Sequence, residues 1–194
     1  MYKLNWKTIL RALSPGQRSE DVPFDEHEAL EEWAKQAADT FGEGSLALEI
    51  GAYKGASTAI LAQFFKVITI DLWYPLENYA YETMGDNFSD FMDTYKKFDL
   101  RGRVFPLLGT SETLTGILPK LFTKFCFVDG DHSYEGAKSD LYFCDYHLAD
   151  RGYLVVHDYP RAGTVERAVD EFVQDKSYDK WGCVSDGIVA LRKK

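Results

Sequence analysis

Leu46 to Ala62 reads LALEIGAYKGASTAILA, and its two halves obey different rules. The first half is an apolar run that takes in Glu49, the composition of a buried parallel strand. From Gly55 the residues favour a helix, with Ile60, Leu61, Phe64 and Phe65 as its apolar members. Strand, glycine turn and helix follow in that order. Gly51 admits backbone angles closed to other residues, and Gly55 lets the helix N-terminus approach a ligand closely. A turn of this kind at the C-terminal edge of a sheet makes a nucleotide-type pocket.

The spacing Gly-x-x-x-Gly differs from the Gly-x-Gly-x-x-Gly of dinucleotide enzymes, which argues against a nicotinamide-dependent oxidoreductase. With Glu49 before it and Ser57 after it, the stretch resembles motif I of the class I S-adenosylmethionine-dependent methyltransferases. KVITID, Lys66 to Asp71, then supplies a second strand ending on an acid twenty residues after Gly51, where a ribose-binding carboxylate is expected. A carboxylate there can accept from both ribose hydroxyls at once.

Size sets the frame for the rest. At 194 residues the chain suits one substantial core, so a single domain over 1–194 is expected. A hydrophobic content of 45% with 15% aromatics is globular, and no apolar run approaches the roughly 20 residues of a membrane span. MYKLNWKTILRAL lacks the apolar core and cleavage site of a secretory signal, so a cytoplasmic protein is expected. The net charge of -9 would repel a phosphate backbone, which disfavours nucleic-acid substrates. Cys126, Cys144 and Cys183 form no CxxC pair and read as buried small apolar residues.

Residues 1–41 form a helical cap ahead of a core at 46–194. Leu4, Ile9, Leu10 and Leu13 lie near helical spacing, and a second helix from about Asp25 carries Leu30, Trp33, Ala34, Ala37 and Phe41 on one face. It reads as a cover for the sheet, a lid over the cofactor mouth, or both. The insert from Leu72 to Arg101 opens with Trp73, Tyr74, Tyr79 and Tyr81, which could wall an adenine or an aromatic acceptor or simply pack. From Asn87, Phe88, Phe91, Met92, Tyr95 and Phe98 repeat at threes and fours as a core stripe. Arg103 to Gly109 is the third strand, followed by Ser111, a helix cap or an adenine contact, and Glu112.

KFCFVDGDHSYEG places Asp129 at the end of a fourth strand, with Asp131 and His132 in the turn beyond. GYLVVHDY, Gly152 to Tyr159, is a fifth strand ending in His157 and Asp158. Two strand ends thus bring these acids and histidines to one rim, where open sheets bind ligands. A helix from about Gly163 to Gln174 follows, then two apolar runs around Ser185-Asp186-Gly187 that read as an antiparallel hairpin. The whole is α/β: a Rossmann-like, doubly wound, mostly parallel seven-stranded sheet with a C-terminal hairpin and N-terminal covering helices.

Hard divalent cations want oxygen ligands, and Asp129 with Asp158 offers two carboxylates for magnesium. His132 is the candidate base, because an imidazole titrates near neutrality. The motifs DGDHSYEG and GYLVVHDY resemble the short O-methyltransferase branch of macrocin and cephalosporin-hydroxylase-associated enzymes, and LEIGAYKG with GTSE is similar to catechol O-methyltransferase. That resemblance implies S-adenosylmethionine contacts from Glu49, Gly51, Ala52, Tyr53, Gly55, Ser57, Asp71, Leu72, Ser111, Glu112 and Asp129. It also implies magnesium on Asp129 and Asp158, base chemistry on His132, and a small-molecule acceptor. His157 departs from the relatives' pattern: it is a further candidate ligand or an outer group beside the ion, or the site runs metal-free on His132. A non-catalytic S-adenosylmethionine sensor or accessory module keeps the fold without the chemistry; a monomer and a homodimer are both open.

Overall fold

In the computed structural model the described residues are 4–13, 24–73, 87–184 and 187–194. Tyr74, Tyr79 and Tyr81 of the aromatic insert, and Ser185 and Asp186 of the hairpin, lie outside them. The elements in chain order are α1 (Trp6–Leu13), α2 (Phe24–Phe41), β1 (Leu46–Ile50), α3 (Ala56–Leu61), β2 (Lys66–Asp71), α4 (Asn87–Lys97) and β3 (Val104–Leu108). They continue with α5 (Ser111–Leu114), β4 (Thr123–Val128), α6 (Tyr134–His147), β5 (Leu148–His157), α7 (Gly163–Asp175), β6 (Tyr178–Val184) and β7 (Ile188–Lys193).

The seven strands run in the order β3-β2-β1-β4-β5-β7-β6. All neighbours up to β5 are parallel, while β7 pairs antiparallel with both β5 and β6. Strand order reverses at β1, which lies between β2 and β4. The crevice beyond the C-terminal ends of β1 and β4 is therefore the topological switch point.

Alternation along the strands decides what reaches that crevice, because successive side chains point to opposite faces. Ala47, Val67, Phe125, Phe127, Tyr153 and Val155 pack with Ile9, Leu30, Ala34, Ile60 and Phe91 of α1–α4. Leu48, Ile50, Ile70, Cys126, Val128, Leu154 and Val156 pack with Leu141, Cys144, Val165, Val169 and Phe172 of α6 and α7. Glu49, Asp71, Asp129 and His157 carry on the first series. The same parity that builds the α1–α4 core thus sends all four polar groups to the face covered by α2. Phe65, Phe125 and Tyr153 stack in sequence beneath it, with ring centroids 5.3 and 6.4 Å apart, and each fully buried ring contributes about 2–3 kcal/mol.

Two open choices close and two local expectations change. Trp73 is buried rather than free to wall a ligand: its ring packs on Phe91 with centroids 4.9 Å apart, and its Nε1 donates to Tyr53 O at 3.1 Å. Thr110, not Ser111, caps α5, in a capping box with Thr113. The fifth strand starts at Leu148 instead of Gly152, and Asp158 lies past its end at φ +58°. Cys183 is exposed while Cys126 and Cys144 are buried, because β6 is an edge strand of the sheet. The stripe on α4 is core around Phe91, with Met92, Tyr95 and Phe98 packed against it, but Phe88 at the start of the helix is exposed, its ring only edging Trp73.

Candidate active site

The turn after β1 is held from three directions. Gly51 has φ +86°, and a Cβ there would overlap the Asp129 carbonyl and come within 2.9 Å of Gly130 N, so the two strand ends cross without a side chain between them. Gly55, also at φ +86°, is the N-cap of α3. Thr94 Oγ1 of α4 donates to Lys54 O at 2.7 Å.

Asp71 organises this turn from β2. Its Oδ2 accepts from Ala52 N at 2.8 Å and Tyr53 N at 2.7 Å, and its Oδ1 accepts from Trp73 N at 2.7 Å. Three of the roughly four acceptor positions of a carboxylate are thereby taken. Leu72, between Asp71 and Trp73, is half-buried.

Glu49 is fully buried and ties β1 to α3, its Oε1 accepting from Ser57 Oγ at 2.7 Å and its Oε2 from Thr58 Oγ1 at 2.6 Å. Burial pushes its carboxyl up to about 7, against the hydroxyls of Thr58, Ser57 and Thr69 that pull it down. A carboxyl whose folded value exceeds its ordinary 4.5 stabilises the fold fully below that ordinary value and loses the contribution as pH rises toward about 7. Glu49→Gln should therefore show a flatter stability profile than wild type between pH 4.5 and 7. The difference should be on the order of 3 kcal/mol, read from urea midpoints; parallel profiles would mean Glu49 stays ionised in the fold.

Ser111 is buried, with its Oγ 3.0 Å from Ser139 Oγ, whereas Glu112 is exposed. Beside them Asp140 is a buried acid with no counterpart in the sequence reading; burial pushes it up to about 7 although Ser111 bonds it.

At the ends of β4 and β5 two acids and two imidazoles converge. His132 Nε2 lies 3.1 Å from Asp158 Oδ2 and 3.6 Å from Asp129 Oδ1. His157 Nδ1 lies 3.1 Å from Asp129 Oδ1 and 3.2 Å from Asp158 Oδ2, and its Nε2 lies 2.8 Å from Glu26 Oε2. Asp129 sits below the usual carboxylate range, because the two imidazoles outweigh the burial that would raise it. Asp158 is lowered first by His157. His132 is raised chiefly by Asp129, and His157 reaches about 11, as Asp129 and Asp158 overcome the effect of its burial.

One ligand atom from each of Asp129, His132 and Asp158 falls within 4.8 Å of the others. His157 Nδ1 is buried without a hydrogen-bond partner, although two carboxylate oxygens lie close by. A ring nitrogen held between two carboxylates is a place where a divalent cation could replace the proton. The grouping includes His132 where the sequence pointed to His157 as the third metal ligand; both imidazoles reach the same pair of acids.

A crevice of about 590 Å³, its open mouth included, runs from this cluster to the glycine turn. Gly51, Ala52, Tyr53, Lys54, Ala56 and Ser57 line one side, and Phe127, Asp129, His157 and Ile188 the floor. Glu26, His27 and Leu30 of α2 close the other side. The α2 residues were not read as site residues. Their signal was present: Glu26 stands four residues before Leu30, in line with the apolar stripe that faces the sheet.

Among the described residues no helix is long and apolar enough to cross a membrane. Solved structures share the fold at low identity. They include the O-methyltransferase from Bacillus cereus in complex with SAH, at 15% identity and TM-score 0.69 over 100% of this chain and 92% of that one. The O-methyltransferase NovP matches at 17% identity and TM-score 0.67, over 86% of this chain and 78% of its own. SAH-bound methyltransferase PaMTH1 from Podospora anserina matches at 14% and 0.65, over 100% and 98%. No curated protein sequence matches the chain. Residues 48–159 match the family model described as a methyltransferase domain, and since this is more than half of a chain with the strand order and glycine turn above, the chain belongs to the class I, S-adenosylmethionine-dependent methyltransferases.

Proposed function

We propose that this enzyme methylates a hydroxyl oxygen of a small molecule, with a divalent cation on Asp129 and Asp158 and with His132 as the base. The observation that carries the reading is the convergence of Asp129, His132, His157 and Asp158 beside the Gly51–Gly55 turn. The O-methyltransferases among the structural neighbours support oxygen as the acceptor atom.

Methyl transfer to oxygen is an in-line displacement, so the protein must align donor and acceptor and remove one proton. The sulfonium cofactor supplies an already reactive methyl group. Asp71 shapes the turn that receives it, Gly51 lets the ends of β1 and β4 close on one another beside it, and Gly55 makes room for Phe91 and Thr94 of α4, not for a ligand. Asp129 and Asp158 would hold the cation, whose charge would favour the deprotonated acceptor oxygen. His132, half-exposed in the turn after β4, takes the acceptor proton on Nε2, and Asp158 stabilises the resulting imidazolium from 3.1 Å. Imidazole nitrogens beside the acids suit a first-row ion such as Mn²⁺ at least as well as magnesium.

Isothermal titration with S-adenosylmethionine, followed by transfer assays on sugar and catechol-type acceptors with Mg²⁺, Mn²⁺ or chelator, tests the proposal. Saturable cofactor binding and cation-dependent methyl release are expected. In Asp71→Ala two bonds to the turn and one to Trp73 N are lost, so cofactor affinity should fall by about 10- to 100-fold. Undiminished binding by that variant, or binding with no transfer to any acceptor, would sink the reading.

A further inference from the structure

Glu26 comes from the covering helix, yet its carboxylate, only 6% exposed, enters the cluster. It accepts from His157 Nε2 at 2.8 Å and from Arg161 Nη2. Arg161 in turn reaches Asp158 Oδ1 at 3.4 Å. Gly187, immediately before β7, lies against the pair, and a Cβ there would overlap Glu26 Oε1. Helix α2, the end of β5 and the hairpin therefore meet at this one carboxylate.

An ionised carboxylate can only accept, so Nε2 carries the proton of its contact with Glu26. The ring is then obliged to turn Nδ1 toward Asp129 and Asp158, at 3.1 and 3.2 Å. Two anionic oxygens facing one ring nitrogen at that distance call for a positive charge between them, which a proton supplies when no ion is bound and a divalent cation would replace. Those separations also match neighbouring donors around a six-coordinate ion, which lie about 3.0 Å apart when the bonds are about 2.1 Å.

We infer that Glu26 is a positioning residue: it fixes the tautomer and direction of His157 so that Nδ1 joins Asp129 and Asp158 as a protein donor to the divalent cation. Helix α2 is thereby part of the site as well as its cover. Carboxylates that orient a ligating histidine in this way commonly alter metal affinity by about 10- to 100-fold. The inference rests on the cation reading given under the proposed function.

Mn²⁺ alone is the probe, with free ion counted by electron paramagnetic resonance in wild type, Glu26→Gln, His157→Ala and the double variant. Glu26→Gln should weaken Mn²⁺ binding about tenfold or more. In the His157→Ala background the same change should have less than about a twofold effect, because the ring it orients is gone. Spin-echo modulation from a directly coordinated nitrogen should appear in wild type and weaken in His157→Ala, a readout that needs no Glu26 variant. Equal Mn²⁺ affinity in wild type and Glu26→Gln, an equal loss in both backgrounds, or modulation untouched by His157→Ala would overturn the assignment of Glu26. Absence of Mn²⁺ binding by wild type would instead remove the cation site itself, and the inference with it.

Discussion

His132→Ala should lower kcat by about 10²- to 10⁴-fold, the range usual for a lost general base, while S-adenosylmethionine affinity stays within about twofold. The separation of the two effects follows from placement. His132 stands in the turn after β4 against Asp158 and Asp129, away from the Ala52–Tyr53 backbone that Asp71 holds. Transfer of a labelled methyl group measures the first quantity and calorimetry the second. The pH profile adds a signature. Without the cation Asp129 holds the His132 pKa above its ordinary 6.5, and a cation on Asp129 and Asp158 would offset that pull, so the base form accumulates as pH rises through the imidazole's value in the loaded site. Turnover should climb over the same interval, and the alanine variant should lack that limb. Unchanged turnover would take the proton away from His132.

Gly51→Ala should be the most damaging single change to the fold, costing about 4 kcal/mol or more. Two penalties add. A left-handed backbone at φ +86° costs an L-residue about 1–2 kcal/mol. The new methyl would also overlap the Asp129 carbonyl, and backbone cannot turn aside as a side chain can. Gly51 N is itself bonded to Ile70 O at 2.9 Å, and Asp129 N to Ile50 O at 2.8 Å, so relief at Gly51 would unzip β1 from its neighbours on either side. Urea unfolding followed by tryptophan fluorescence measures the loss. A midpoint equal to wild type would mean that the ends of β1 and β4 stand farther apart than described.

Periodicity carried much of this molecule. The odd-numbered series through Ala47 and Glu49, and through Phe125, Phe127 and Asp129, is visible in the string of residues. Because a strand alternates faces every residue, that series already placed the acids on one side. Insert aromatics were harder to read: Trp73 could serve a ligand or the core, and only contact with Phe91 and Tyr53 O put it in the core. Ser111 likewise lost the cap to Thr110, one residue earlier, since the cap depends on where the backbone leaves β3, which composition does not encode.

By itself, then, the sequence determined the alternation of strands and helices, the glycine turn after β1, and the presence of Asp129, His132, His157 and Asp158 on two strand ends, because each depends on residues close together in the chain. Tertiary structure alone decided that Asp71 is spent largely on the turn, that Glu49 is sealed between β1 and α3, and that Glu26 crosses 131 positions to orient His157. Those outcomes rest on which helix lies over which strand end, and long-range packing fixes that arrangement where no local pattern can.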